Sequence, residues 1–162
     1  MKRLFSGCLA LIILLLCGCS ALVSEQTVIC GELTIVLPAD FMDLSDRDYG
    51  KDLVMVFGRN DVIISTSKES APELKAQIPD LDAWEYARLV VQTNELSVQP
   101  EERDGIPTFT YTMGTGEEAF TYLAAVFASE KNFWLVQCFC PADKFDANQN
   151  RMWSYLRSVK VR

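Results

Sequence analysis

Hydrophobic and polar residues alternate along several stretches of the chain, which is the pattern of strands with one buried face. The alternation predicts a half-buried strand over residues 29–37, with Ile29 on its apolar side. Two β-rich runs separated by turn residues predict a hairpin over residues 53–67. A further strand with strict alternation is predicted over residues 108–113.

Two later runs, residues 119–128 and 133–140, are apolar on both of their alternating faces. Strands of this kind lie at the centre of a sheet, where they are covered on both sides, or covered on one side while lining a pocket on the other. The uncovered face of the predicted sheet is therefore a candidate working surface.

One helix is predicted from its N-terminal cap and its apolar spacing. Asp82 and Glu85 have the separation of a capping box, and the helix they begin should end near Asn94. Its apolar residues recur at helical intervals, and Trp84 is expected in the core on this stripe. The preceding stretch, residues 69–79, is polar and holds two prolines, so it is predicted to be a connecting loop.

A second helix is predicted over residues 143–159, where apolar residues again follow helical spacing. Trp153 and Tyr155 fall off that stripe, which makes them candidates for flanking the sheet or for facing a partner. The element order, with strands joined mostly by hairpins and helices between and after them, predicts an α+β fold with an antiparallel sheet.

This order resembles the PsbP-like fold over residues 29–161. The resemblance extends to the closing stretch from Phe133 through Cys140 into a final helix that ends Leu156-Arg157-Ser158-Val159. The PsbP-like group includes the extrinsic photosystem II protein, a Ran-binding import factor and DcrB-type bacterial lipoproteins. The resemblance implies binding or assembly rather than catalysis, and it implies no catalytic residue. The alternative fold is a cystatin-like α+β cone, in which the helix normally precedes the sheet.

The N-terminus has the pattern of an export signal, with Lys2 and Arg3 before an apolar run. The quartet Leu16-Cys17-Gly18-Cys19 resembles the lipobox of bacterial lipoproteins. The resemblance implies a signal peptide over residues 1–18 and a diacylglycerol on Cys19. A short lipidated tether over residues 19–28 and a single domain over residues 29–162 would follow. The protein would then be anchored by lipid on the extracytoplasmic face of the cell membrane.

Two other interpretations of the N-terminus stay open. The apolar stretch over residues 4–23 approaches the roughly 20 residues that a transmembrane helix needs, so it could be an uncleaved anchor. Ordinary signal peptidase cleavage near Ala21 would release a protein without lipid. The lipobox is favoured because it falls where the apolar run ends.

Charge and composition narrow the choice of partner. Without residues 1–18 the chain keeps 13 basic and 22 acidic residues, a net charge of −9. Nucleic acid is excluded as a partner because phosphate contacts need clustered Lys and Arg. An acidic domain is also repelled by an anionic lipid surface, so the lipid itself must provide the anchoring. The chain has no histidine, which removes histidine-based nucleophiles, bases and metal sites.

Three cysteines remain beyond Cys19. Cys138 and Cys140 are two residues apart on a predicted strand and so point to one face, where they are poorly placed to bond each other. Cys30 could form a disulfide with Cys138 or Cys140, or all three could be buried free thiols. No metal site is predicted, because the three thiols have no evident fourth ligand for zinc and the Asp-rich loop lacks the calcium spacing.

The favoured function is a non-catalytic binding or assembly module with no cofactor other than the lipid on Cys19. Its partner would be an envelope protein or a small ligand. The alternative is a carboxylate-based cell-wall hydrolase, for which Glu117 and Glu118 are candidates by adjacency alone. A redox protein that uses Cys138 and Cys140 is a weaker third hypothesis, since reactive dithiols favour a C-x-x-C pair at a helix N-terminus.

Overall fold

The computed structural model describes residues 24–47 and 53–162. The predicted signal peptide, Cys19 and the first part of the predicted tether lie outside these residues. Within them the chain forms three α-helices, namely α1 (Ala71–Gln77), α2 (Ala83–Thr93) and α3 (Phe145–Arg157). It also forms ten strands: β1 (Glu25–Cys30), β2 (Leu33–Pro38), β3 (Met42–Asp43), β4 (Leu53–Arg59), β5 (Val62–Ser70), β6 (Glu101–Arg103), β7 (Ile106–Met113), β8 (Phe120–Ala128), β9 (Asn132–Pro141) and β10 (Lys160–Val161).

The strands form two antiparallel sheets. The large sheet has the order β3-β4-β5-β9-β8-β7-β6, and the small sheet has the order β1-β2-β10. The predicted α+β class with an antiparallel sheet is therefore confirmed. The cystatin-like alternative does not fit, because helices pack on both faces of the large sheet.

The two faces of the large sheet belong to two separate hydrophobic clusters. We call one the closed face; Trp134, Val136 and Cys138 lie there, beneath α3 and the small sheet, and all three are fully buried. We call the other the open face; Phe133 lies there beneath α1 and α2. Alternation along β9 sends successive side chains to these two faces, which is why the run is apolar on both.

The N-terminal stretch is a hairpin rather than one strand. Gly31 adopts a φ of +61°, a conformation that suits glycine, and the chain reverses there between β1 and β2. Ile29 consequently lies on the outer side and is 70% exposed, so its predicted buried position is wrong. Strand β1 begins at Glu25, within the stretch predicted to be a tether.

One carboxylate joins the turn of this hairpin to the β8–β9 region. Glu32 Oε1 accepts hydrogen bonds from Ser129 Oγ at 2.5 Å, Asn132 Nδ2 at 2.9 Å and Trp134 Nε1 at 3.0 Å. Burial would raise the pKa of Glu32, but these three hydrogen bonds and nearby Lys131 outweigh it and lower the pKa. We call this contact the Glu32 latch.

Residues 69–79 are not the predicted loop, because α1 forms inside them. Ser70 caps this helix by accepting a hydrogen bond from the Glu73 amide, and Pro72 occupies its first turn, where no amide donor is required. Pro72 therefore marks the beginning of a helix and not a loop.

Helix α2 is confirmed as predicted at both of its ends. Asp82 Oδ1 accepts a hydrogen bond from the Glu85 amide at 2.9 Å, and Asn94 is the C-terminal cap. Its buried residues are Tyr86, Ala87 and Val91. Trp84 is only half-buried, so its predicted place in the core is wrong. The buried side of the helix is formed by the three residues named above.

Helix α3 confirms the predicted closing helix but corrects the interpretation of its aromatic residues. Trp153 and Tyr155 are each only 6% exposed, so neither can present a partner surface. The Trp153 indole donates a hydrogen bond to Asp104 at 3.3 Å, and the Arg103 guanidinium lies 4.4 Å from the ring centre. Tyr155 packs edge-on against Phe41. Neighbours distant in sequence cover both rings.

None of the helices in residues 24–47 and 53–162 has the length and apolar character needed to cross a membrane.

Candidate functional site

Three aromatic rings lie side by side across the middle of the open face. Strand pairing places Tyr111 directly opposite Tyr122, and Tyr122 directly opposite Phe139. The ring centres of Tyr111 and Tyr122 are 4.8 Å apart, and those of Tyr122 and Phe139 are 4.7 Å apart. Both spacings match the distance between neighbouring strands, so the sheet itself sets the stack.

Two further side chains extend this stack toward the end of the strands. Phe120 packs edge-on against Phe139 at 6.2 Å, and Met113 lies opposite Phe120 with 54% of its surface exposed. We call the five residues the aromatic face: Met113, Tyr111, Phe120, Tyr122 and Phe139. Its four rings are half-buried, so they remain accessible to a partner.

The aromatic face is bounded on both sides by side chains packed on the same sheet face. On one side α2 lies across the sheet, with Tyr86 stacked on Phe133 at 4.8 Å. On the other side Leu44 lies over Gly58, where an added Cβ would come within 2.5 Å of the leucine Cδ1. No helix among the described residues covers the rings between these two borders.

A hollow lies where the aromatic face meets the end of α2. Its volume is about 230 Å³, and its lining includes Val90, Leu96, Tyr111, Met113 and Gln137. Small-molecule pockets usually enclose about 300–1,000 Å³, so this hollow is better suited to a side chain or two from a partner. The site is therefore an open surface with one recess.

The rings of the aromatic face are uncharged at neutral pH. Burial, with the neighbouring Tyr122 hydroxyl, raises the pKa of Tyr111 to about 12, although the hydrogen bond from Gln137 Nε2 to Tyr111 Oη at 2.6 Å acts in the opposite direction. Burial also raises the pKa of Tyr122. Three exposed carboxylates adjoin residues of the site along the chain. Glu95 lies between Asn94 and Leu96, which line the hollow, and Glu117 and Glu118 lie on the turn that joins β7 to β8.

Glu117 and Glu118 do not form the cleft that a glycan hydrolase needs. Both lie on the single helical turn Gly116–Glu118 at the tip between β7 and β8, and both are exposed. Glu117 lines a shallow hollow with Asp143 and Lys144, whereas Glu118 does not. The two adjacent carboxylates are therefore not brought together on one site.

The described cysteines are free thiols, so the disulfide of Cys30 with Cys138 or Cys140 does not form in this structure. Cys138 and Cys140 lie fully buried beneath α3, where their sulfurs approach Met152. Burial, with the neighbouring Cys140, raises the pKa of Cys138, and burial likewise raises the pKa of Cys140. Thiols held neutral and out of solvent are poor nucleophiles, which argues against redox chemistry.

The Asp-rich loop behaves as a turn in the part that the structure describes. Asp43 Oδ1 accepts a hydrogen bond from the Ser45 amide at 2.9 Å, which engages the carboxylate locally and lowers its pKa. Asp48 lies outside the described residues. Within those residues, no cluster of three or more acidic or cysteine side chains could hold a metal ion.

No family model and no curated protein sequence matches the chain. Among solved structures, it is similar to the solution structure of cyanobacterial PsbP (CyanoP) from Synechocystis, with a TM-score of 0.61 at 15% identity over 90% of this chain and 97% of that one. The fold is PsbP-like. A Bacteroides thetaiotaomicron protein matches with a TM-score of 0.53 at 10% identity, over 85% of this chain and 48% of that one. The Ran-binding protein Mog1p of Saccharomyces cerevisiae aligns with a TM-score of 0.49 at 14% identity, over 86% of this chain and 96% of that one.

The sequence predicted an uncovered sheet face but not which residues form it. The alternation over residues 108–113 puts Tyr111 and Met113 on one side of their strand, and the same rule separates Tyr122 and Phe139 from their buried neighbours. What was missing was the register between strands, which aligns the rings in one row. Register depends on long-range pairing and is not visible in any single segment.

Proposed function

We propose that the protein is a non-catalytic binding or assembly module, anchored by lipid on Cys19 at the extracytoplasmic face of the cell membrane, and that it holds a protein partner on the aromatic face. The observation that carries the proposal is the row of stacked rings left between α2 and Leu44. Contiguous apolar patches that stay accessible on a folded protein often mark interaction sites.

The chemistry of the surface favours a protein over a small ligand. The rings are open to solvent, and the adjacent hollow of about 230 Å³ is too small to enclose a typical ligand. Aromatic residues are enriched in the buried centres of protein interfaces, with polar residues at their rim. With the exposed Glu95, Glu117 and Glu118 next in the chain to residues of the site, this surface fits a partner with an apolar centre and a basic rim.

The lipid anchor is the second part of the proposal. It is supported by the lipobox-like quartet that ends at Cys19, which falls where the apolar run of the N-terminus ends. Two or three acyl chains would hold the chain stably at a membrane, whereas one would hold it marginally. The binding module would then act close to the bilayer.

The surface is tested by native mass spectrometry of the full chain extracted from its own membranes in mild detergent. We expect a second polypeptide to be retained by the wild type and lost from Tyr122→Thr, because threonine removes the central ring but suits a strand. Ile29→Thr is the matched control, since Ile29 is 70% exposed on the other sheet and its loss should leave the partner bound.

A second arm identifies the contact directly. The photo-reactive p-benzoylphenylalanine in place of Phe139 should cross-link to the same polypeptide, whereas the same group in place of Ile29 should not. Retention of the partner by Tyr122→Thr would show that another surface binds it. A retained small molecule in place of a polypeptide would contradict the choice of a protein partner.

A further inference from the structure

A groove on the far side of the molecule from the aromatic face collects three arginines. Arg59 reaches it from the end of β4, and Arg151 and Arg157 reach it from α3. The groove has a volume of about 510 Å³, and β2 forms its other wall through Val36 and Pro38. This concentration of positive charge stands out in a chain with a net charge of −7.

Arg59 is the innermost of the three, with its side chain 28% exposed. Its Nε lies 2.6 Å from Asp40 Oδ2, so Arg59 and Asp40 form an ion pair at the inner end of the groove. Arg151 and Arg157 are exposed on α3, so they are the groups that an incoming anion reaches first.

The other groups in the groove are mostly engaged within the protein. Ser158 Oγ donates to the Val36 carbonyl at 3.2 Å, and Ser154 Oγ donates to the Arg151 carbonyl at 2.7 Å. One guanidinium nitrogen of Arg151 donates to Asn148.

The charges that oppose an anion are few in the described part of the chain. They are the Glu25 carboxylate, which also lines the groove, and the Asp40 carboxylate, which is 54% exposed and paired with Arg59. Three guanidinium groups against two carboxylates leave the groove positive. Guanidinium forks match phosphate oxygens in geometry, so the favoured ligand is a phosphate group.

The position of the groove indicates where the phosphate comes from. Glu25 is the first residue of β1, so the chain from Cys19 enters the domain at this groove. Six residue steps span at most about 20 Å, which keeps the groove close to any membrane that holds Cys19. Local basic groups at a membrane attract anionic headgroups even where the whole domain is acidic.

We propose that Arg59, Arg151 and Arg157 form a binding site for the phosphate of anionic phospholipid headgroups, which turns this side of the domain toward the bilayer. The inference rests on the proposed lipid anchor. It leaves the aromatic face, on the opposite side of the large sheet from α3, free to meet a partner.

The test uses the full chain placed in vesicles of phosphatidylcholine alone or mixed with phosphatidylglycerol. Arginine side chains are labelled with phenylglyoxal, and the rate at each arginine is read by mass spectrometry. Arg59, Arg151 and Arg157 should each react severalfold more slowly in the phosphatidylglycerol vesicles. Arg88, on α2 and paired with Glu85, is the internal control and should react equally in both.

A variant separates the groove from a general surface effect. In Arg151→Gln/Arg157→Gln, the slowing at Arg59 by phosphatidylglycerol should disappear, whereas Arg88→Gln should keep it. Equal rates at the groove arginines in both vesicle types would overturn the proposal, as would equal slowing at Arg88. If inorganic phosphate with phosphatidylcholine vesicles slows the groove arginines as much, the ligand is a soluble phosphate and the lipid assignment is wrong.

A separate experiment tests the lipid anchor on Cys19 independently of the arginine groove. Flotation of the full chain and of Cys19→Ala with phosphatidylcholine vesicles tests whether lipid on Cys19 holds the protein. A wild-type chain that does not float contradicts the anchor, while added phosphatidylglycerol vesicles still test the groove.

Discussion

The two faces of the large sheet are built from the same strands but differ in how completely they are covered. On the closed face, α3 and the small sheet exclude water from Trp134 and its neighbours completely. On the open face, α2 covers only part of the strands, and the rings beyond it stay half-buried. In strand β9, the even-numbered side chains from Trp134 to Cys140 are therefore fully buried, whereas the odd-numbered Phe139 stays accessible for the binding role proposed above.

The largest effect on the free energy of unfolding is expected from removing a buried side chain of the closed face. Trp134→Ala should lower the free energy of unfolding by about 3–5 kcal/mol, because it leaves a cavity in the closed face and removes a donor from the Glu32 latch. On the open face, Met113→Thr should change it by no more than about 0.5 kcal/mol. Urea unfolding of both variants measures the contrast, and similar losses would mean that the two faces do not differ in this way.

A smaller effect is expected from the Glu32 latch, which joins the β1–β2 turn to Ser129, Asn132 and Trp134. Glu32→Gln should cost about 1–2 kcal/mol, since it replaces a charged acceptor of three hydrogen bonds with a neutral one. Glu130→Gln, an exposed change in the same β8–β9 turn, is the matched control and should be close to neutral.

The contribution of the latch should also depend on pH. Because folding lowers the pKa of Glu32, its stabilisation is present above the carboxyl's ordinary pKa and is lost as pH falls through the depressed folded value. The stability difference between wild type and Glu32→Gln should thus shrink on acidification. A difference that stays constant through the acid range would contradict a charged latch.

The smallest of these effects concerns the border of the open face. Asp82→Ala should cost about 1 kcal/mol, because it leaves the Glu85 amide at the start of α2 without its acceptor. Asp80→Ala, an exposed change just before the cap, should cost less than the capping variant. Thermal unfolding of the pair provides the measurement, and equal losses would show that Asp82 does not act as a cap.

Local signals predicted much of this fold. Alternation located the central strands, and the Asp82 cap located α2, because both depend on residues close in sequence. Gly31 makes a hairpin of the stretch predicted to be one strand. Pro72 lies in a stretch predicted to be a loop, but proline also suits the first turn of a helix, which is where the structure has it.

Long-range contacts account for the remaining differences. Trp153 and Tyr155 lie off the apolar stripe of α3, yet they are buried because Arg103 and Phe41 come from distant segments to cover them. The three groove arginines were not singled out for the same reason, since Arg59 is far from the other two in sequence. No periodic pattern carries information of this kind.

The spacing of the stacked rings has a thermodynamic consequence for any partner of the aromatic face. The rings of Tyr111, Tyr122 and Phe139 stack on one another at the spacing of neighbouring strands. Their side-chain rotation is therefore already restricted in the folded protein. A partner that docks on them has little further side-chain entropy to overcome. The surface should therefore act as a stiff template, to which the partner adapts and which itself changes little on binding.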